Sequence, residues 1–418
     1  MIMQKLRIVL DPRDTAGIMS AKLWIKEGSR ADPKNKQGLH YLLGSLLSRG
    51  CGPYNRIEIA DLIEGCGAAL RCDTFEDGIL LSLKCTERDQ SKLLPLFVWM
   101  VTAPHIASDQ MSLERELSIQ LLQRQKESAF HVAFDCWRRI IYRKSPYEHD
   151  PLGTLAGIAA IGEDDLKNLS TKLSIREQVL VISGSFPKKI ESDIKSLFSF
   201  TSSSLKDSDV NITSEGSKEF KVDNHKQRLI LRHQETSQVI LILGQKTISH
   251  SHQDDLVLRL LSCHLGSGMS SLLFKKFREQ YALAYETGVY HPIREYEAPF
   301  AIHVATTQEK ALHSLRLLKK CWEIQLEQKI SEEELFLARA KFKGNVAHNL
   351  QTVSQRAERK AQLLSFGMSD NYDNECFKRV DTISAEEIQT TAIRYLSNPL
   401  LSLCGPKKTL DILASHWC

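Results

Sequence analysis

Residues whose types and spacing invite chemistry begin with GLHYLLGSLLSRG, residues 38–50, which sets His40, Tyr41 and Ser45 among leucines. The stretch ISHSHQDD puts His250 and His252 one residue apart, a spacing open to a metal ion. YEHDPLG sets His149 beside Asp150. Each has a plainer reading. Leu39, Leu42, Leu43, Leu46 and Leu47 recur at helical spacing, so the first stretch reads as a buried helix closed near Gly50. A leucine-flanked helix with no general base nearby is a poor setting for a serine nucleophile at Ser45. His250 and His252 fall in a polar loop entering a helix, and His149 and Asp150 fall in a turn. Neither group is expected to hold a metal or act as a catalytic pair. Glu332, Glu333 and Glu334, after Ser331, read as the acidic first turn of a helix with a serine N-cap.

The elements that must position these residues come in matched sets. Strand-like KLWIKEG ends at Gly28 and strand-like VILILG at Gly244, each followed by a polar loop and a leucine-rich helix. The first helix closes with Gly50 and Gly52, the second with Gly266 and Gly268. All these pairs are 216 apart (244−28, 266−50, 268−52), and such agreement in register suggests an internal duplication. Between the halves, FTSSSLKDSDVNITSEGSKEF is polar and poor in apolar residues, which reads as a linker. The expected division is a domain at 1–199, a linker at 200–220 and a second domain at 221–418. EIADLIEGCGAAL reads as a helix running into Gly67, RCDTFEDGILLSLKC as two strands around a turn, and SKLLPLFVWMVTAP as a helix ended by Pro104. REQVLVISGSF and PLLSLCGP read as equivalent buried strands near the close of each half. Strands and helices mix without strict βαβ alternation, so the expected class is α+β, with mixed sheets flanked by helices.

With 42% hydrophobic and 25% charged residues among 418, the chain can build sizeable cores. A net charge of +4 is too mild to point to nucleic acid, and no basic run interleaves with aromatics. No stretch approaches the length of a membrane-spanning helix, and the N-terminal MIMQKLRIVLDPRDT reads as a strand and turn, not a signal peptide. The ten cysteines are scattered with no C-x-x-C, which suits reduced thiols and a cytoplasmic location.

On further motifs the chain resembles the insulinase-like M16 metallopeptidases and their mitochondrial processing peptidase relatives. Their catalytic half opens on G-L-x-H-x-x-E-H-x-x-x-x-G, in which two histidines four apart hold zinc and the glutamate polarises the zinc-bound water. Gly38, Leu39 and Gly50 fit that frame. Tyr41 stands at the first histidine, Gly44 at the glutamate and Ser45 at the second histidine, while His40 lies one residue early. LERELSIQLLQRQKES matches the family's E-R-E run at Glu114, Arg115 and Glu116, but Gln120 and Leu121 stand where the third zinc ligand is expected. SPYEHDPLGTLAGIAAIGEDDLKNL resembles another family segment. SEEELFLARAKFKGNVAHNLQTVSQRAERKAQLLSFG resembles the family's last long helices. LGSGMSSLLFKKFREQYALAY, with its glycine loop at Gly266 and Gly268, resembles the second-half motif. Through it the resemblance implies that Arg278 and Tyr285 position substrate and stabilise the tetrahedral intermediate. Ala282 replaces the usual glycine.

The resemblance implies two homologous M16-type domains and a catalytically incompetent chain, without metal of its own. It would pair as a heterodimer with a zinc-bearing M16 subunit, enclose a peptide-processing or peptide-degrading chamber, and supply Arg278 and Tyr285. Two alternatives stand beside it. One is a non-peptidase scaffold like the core subunits of respiratory complexes, and the other is a metallopeptidase with unorthodox ligands.

Overall fold

The computed structural model describes residues 6–202 and 228–417. They divide into two compact units. One takes the described residues of Met1–Leu122, His149–Glu219 and Asn349–Asp370, the other those of Gln123–Glu148, Phe220–His348 and Asn371–Cys418. The boundaries expected from sequence do not coincide with these units. Each unit is built mainly on one half of the chain but incorporates a helical segment from the other. The expected linker at 200–220 lies, from residue 203 on, outside the described residues.

The first unit holds β1 (Leu6–Pro12), β2 (Ile18–Ile25), the short pair β3 (Gly50–Cys51) and β4 (Tyr54–Asn55), β5 (Ala69–Thr74), β6 (Ile79–Thr86) and β7 (Gln178–Gly184). Its main sheet runs β1-β7-β2-β6-β5, with β1 parallel to β7 and the other pairs antiparallel. Every residue of β7 is buried, as suits a central strand covered on both faces. On one face Leu23, Leu81 and Leu180 join Leu42 and Leu43 of the helix Leu39–Leu46, and Leu93 and Phe97 of the helix Gln90–Thr102. On the other, Trp24, Leu80, Val179 and Val181 pack against Ala357, Ala361 and Leu364 of the helix Val353–Ser365. That helix is fastened by charge as well. Buried Lys22 donates from Nζ to Glu358 at 2.7 Å and Ser82 at 2.9 Å, and Arg356 donates to Asp11 at 3.3 Å.

The second unit holds β8 (Leu229–His233), β9 (Gln238–Lys246), β10 (Ala284–Tyr290), β11 (Pro299–Thr307) and β12 (Leu400–Gly405). Its sheet order is β10-β11-β9-β12-β8, with β8 parallel to β12. Read from β8, this is the first sheet's order. The imported helix here is Ala129–Ile141, whose Ala133 and Trp137 pack on Ile240, Ile242, Ala301 and Leu400. Trp137 Nε1 donates to the Leu400 carbonyl at 3.1 Å, which fixes the ring without stranding its polar edge.

The leading helices Leu39–Leu46 and Asp255–Gly266 begin 216 residues apart (255−39), as the glycine spacing predicts. The strand before each does not keep that offset. β2 ends at Ile25, ahead of Gly28, whereas β9 runs past Gly244, which pairs with both Leu400 and Ala301. The loop entering the first helix is longer than its counterpart, so Gly28 and Gly244 are not equivalent. Gly52 and Gly268 do share a left-handed backbone, with φ of +53° and +74°.

Candidate functional site

The helix Leu39–Leu46 is anchored at its start by Asp32. Gly38, at φ +101°, leaves no room for a side chain, because a Cβ there would lie 2.8 Å from the Leu152 carbonyl oxygen. Its amide donates to Asp32 Oδ2 at 2.7 Å and that of His40 to Oδ1 at 3.0 Å, so a carboxylate occupies the helix's positive end. The same carboxylate accepts from His40 Nδ1 at 2.6 Å and from His149 Nε2 at 3.3 Å. Burial works to raise the Asp32 carboxyl, but the histidine hydrogen bonds outweigh it and hold it below the usual range. Burial likewise opposes a charge on His40, yet Asp32 and Glu27 overcome it and raise the imidazole. His40 is thus a structural partner of Asp32.

The positions expected to carry zinc chemistry have other employment. Tyr41 is half-buried, and its phenol is pushed up by burial and then by the negative charge of Glu114, Asp150 and Asp73. Ser45 donates its hydroxyl to the Leu42 carbonyl at 2.8 Å within its own helix. A Cβ on Gly44 would stand 2.3 Å from Thr74 Oγ1 on β5. The helix therefore lies so close to the sheet edge that any side chain at position 44 would have to displace the Thr74 hydroxyl. Gln120 is exposed on the helix Ser108–Glu127, and Leu121 is 40% exposed beside it. Glu114, one buried carboxylate in this neighbourhood, is taken by Arg49 at 2.6 Å. Tyrosine, glycine, serine and glutamine are not a zinc donor set. Among the described residues, no group of three or more His, Cys, Asp or Glu is placed to hold a metal ion. The residues present do not fit the family's zinc.

In the second unit the glycine loop follows the leading helix. Gly266 is that helix's last residue, and a Cβ on it would lie 2.8 Å from Val289 Cγ2. Gly268 stands in open space. Asn345 donates to Ser267 Oγ at 2.9 Å and ties the loop to the helix Glu332–His348. Residues Phe274–Gln280 form a π-helix, a geometry that recurs at functional sites. Near its end Arg278 is exposed, its guanidinium 5.2 Å from the centre of the Phe274 ring. The backbone then turns through Ala282 at φ +48°, with Lys310 Nζ bonded to its carbonyl at 2.7 Å. The left-handed turn that glycine would make is kept although the residue is alanine. β10 follows on the sheet edge, and its register against β11 slips between Ala284 and Glu286. Tyr285 is the bulged residue, and its side chain is 77% exposed. A bulge turns a side chain out of the ladder, and here it presents a phenol to solvent on the same segment as Arg278.

The second unit also holds a histidine–aspartate–histidine group that the sequence pattern did not suggest. Asp255, first residue of its leading helix, accepts from His250 Nδ1 at 2.7 Å and His291 Nε2 at 3.2 Å. Burial would raise this carboxyl, but the histidine bonds hold it well below the ordinary range. His250 is thus engaged as a buried partner, while His252 stays exposed and its Nδ1 accepts from the Asp254 amide at 3.1 Å. The spacing H-x-H brings no metal site. His291 is 36 residues from Asp255 (291−255), and only the folding of β10 beside the helix joins them.

Comparison with known proteins agrees with this layout. The model for insulinase, peptidase family M16, matches residues 7–154, and that for the peptidase M16 inactive domain matches residues 177–342. A protein of Bacillus subtilis described as an uncharacterized zinc protease is 21% identical over 96% of each chain. A Helicobacter pylori protein described as a non-peptidase homolog is 22% identical over 88% of this chain and 83% of its own. The fold matches that of a crystal structure of a peptidase M16 inactive domain from Pseudomonas fluorescens, with a TM-score of 0.84, 18% identity and 97% of both chains covered. It matches equally, at 0.84 and 19% identity, a protease from Helicobacter pylori, covering 97% of this chain and 98% of that one. The chain belongs to the M16 peptidase family.

Proposed function

We propose that this chain is a catalytically inactive M16 homologue that pairs with a zinc-bearing M16 subunit to enclose a peptide-processing or peptide-degrading chamber. The observation that carries the inactivity is that Tyr41, Gly44, Ser45 and Gln120 offer neither a zinc donor set nor a general base. The relative named a non-peptidase homolog supports the same reading. The support for a retained role is that Tyr285, on its bulge, and Arg278, near the end of the π-helix, are both exposed on one segment. In this reading both donate hydrogen bonds to substrate backbone, and to the oxyanion that forms at the partner's zinc. The shared strand order of the two sheets supports descent of both halves from one duplicated domain. The described cysteines are all free and no described helix is long and apolar enough to cross a membrane, which supports a cytoplasmic setting.

Reconstitution with a zinc-bearing M16 chain tests the pairing. Arg278→Ala and Tyr285→Phe are each expected to lower kcat/KM of the heteromer by about 10²-fold, the scale of losing an oxyanion donor, with assembly unchanged. Full activity in both variants would leave a scaffold. Zinc analysis of the isolated chain is expected to give far less than one equivalent, and a stoichiometric, tightly held zinc would restore the reading of unorthodox ligands.

A further inference from the structure

A cavity of about 430 Å³ opens in the first unit between the start of the helix Leu39–Leu46 and the helix Glu163–Ser174. That size suits a small ligand. Its lining includes His40 but none of Tyr41, Gly44 and Ser45, so it lies on another flank of the leading helix and is independent of the pairing proposed above. Pro33, Leu39 and Leu169 give it apolar walls. Its charged lining is Lys36, Lys172, Arg176, Glu27 and Asp165, more cation than anion.

Both carboxylates are already engaged. Asp165 Oδ1 accepts from Lys36 at 2.5 Å and its Oδ2 from the Gly162 amide at 2.8 Å. Glu27 is ion-paired to Arg176 Nε. Lys172 has no acidic partner within 4 Å among the described residues, and it lies on the cavity face of its helix, one and two turns beyond Asn168 and Asp165. Behind them His40 is 1% exposed, with Nδ1 held by Asp32. Its Nε2 has no hydrogen-bond partner among the described residues, the Glu27 carboxylate being 3.6 Å away. This nearly fully buried ring nitrogen on the cavity wall is ion-paired with Glu27 but not hydrogen-bonded, which leaves its N–H able to take a closer acceptor. Arg176, also on the cavity wall, is 35% exposed and ion-paired to Glu27 through Nε.

We propose that this cavity binds a compact oxyanion of the phosphate class, held by Arg176 and Lys172 and reached from beneath by His40 Nε2. Guanidinium and ammonium are the pairing chemistry of phosphate. The clamp on Arg176 by Glu27 removes much of the cost of ordering that side chain on binding.

Calorimetric titration of the full chain with inorganic phosphate, against sodium chloride of equal ionic strength, tests the proposal. One saturable site with Kd at or below about 1 mM is expected. Lys172→Ala, an exposed position whose thermal stability serves as the control for folding, is expected to weaken binding about tenfold or more, and Arg176→Gln likewise. The His40 Nε2 resonance is expected to move on addition of phosphate. Absence of saturable binding, or binding indifferent to both variants, overturns the site. An unmoved His40 resonance overturns its part in it. Acetate binding more tightly than phosphate overturns the phosphate class in favour of a carboxylate.

Discussion

The two sheets share one strand order, and each unit starts its leading helix on a buried aspartate between two histidines. Asp32 reaches the helix from the preceding loop, whereas Asp255 is the helix's own first residue. The units diverge on what surrounds that anchor. In the first, the helix is pressed on β5 until Gly44 meets Thr74, and Ser45 is taken into a local hydrogen bond. In the second, a π-helix, a left-handed alanine and a bulge keep Arg278 and Tyr285 in the open. Anchoring of the first helix runs through His40, a different residue from those aligned with the family's zinc motif.

The largest effect expected is on the anchors. Asp32→Asn and Asp255→Asn each remove one charge from a buried group and are expected to cost about 3–5 kcal/mol, the scale of breaking a buried ion pair. Denaturant melts of the full chain measure it. Equal losses would show the anchors equivalent. A near-neutral result at either site would break the comparison.

The contact at Gly44 allows a sharper test. Alanine is ordinarily favoured over glycine in a helix by about 1 kcal/mol, but here its Cβ meets a β-branched side chain with few rotamers to retreat into. Gly44→Ala is expected to destabilise by about 1–3 kcal/mol. In a Thr74→Ala background the sign should reverse toward the helix preference. A double-mutant cycle without coupling would refute the packing argument.

The histidines separate the units by pH. His40 is raised, so the stability it contributes is complete below the ordinary imidazole value of 6.5 and is lost as pH rises through its folded value. His264 and His303 of the second unit are lowered, chiefly by burial, and their contribution is present above 6.5 and lost as pH falls. Histidine NMR titrations should place His40 above that value and the other two below it. A tenfold change in either proton affinity corresponds to about 1.4 kcal/mol. A His40 that titrates normally would remove the alkaline step. In Asp32→Asn it should move down.

The smallest effect concerns Ala282. A non-glycine residue at positive φ costs about 1–2 kcal/mol, so Ala282→Gly is expected to stabilise by about 1 kcal/mol, net of glycine's greater freedom when unfolded. A thermal melt reads it. A loss of stability would mean that the alanine methyl has packing value that offsets the turn.

Much of the molecule was legible from local pattern. Leucine spacing marked both leading helices, buried apolar runs marked strands, and the frame Gly38–Gly50 singled out Tyr41, Gly44 and Ser45 as the positions to compare with the family's zinc motif. These signals are local, since period and capping chemistry act within a few residues. The Gly28–Gly244 pairing failed for the complementary reason. A shared glycine does not reveal that one strand ends before it and the other runs through it, because strand length is set by its partners.

The amino-acid sequence alone determined the order of elements, the α+β class and which chemistry the altered positions lack. Tertiary structure alone decided that each unit takes a helix from the other half, that Thr74 fills the space beside Gly44, that His149 and His291 close the aspartate anchors, and that Tyr285 is turned out by a bulge. The physical reason is range. Propensity and periodicity are written into neighbouring residues, whereas a buried carboxylate or a tight packing contact depends on residues the chain brings together only when the apolar faces close.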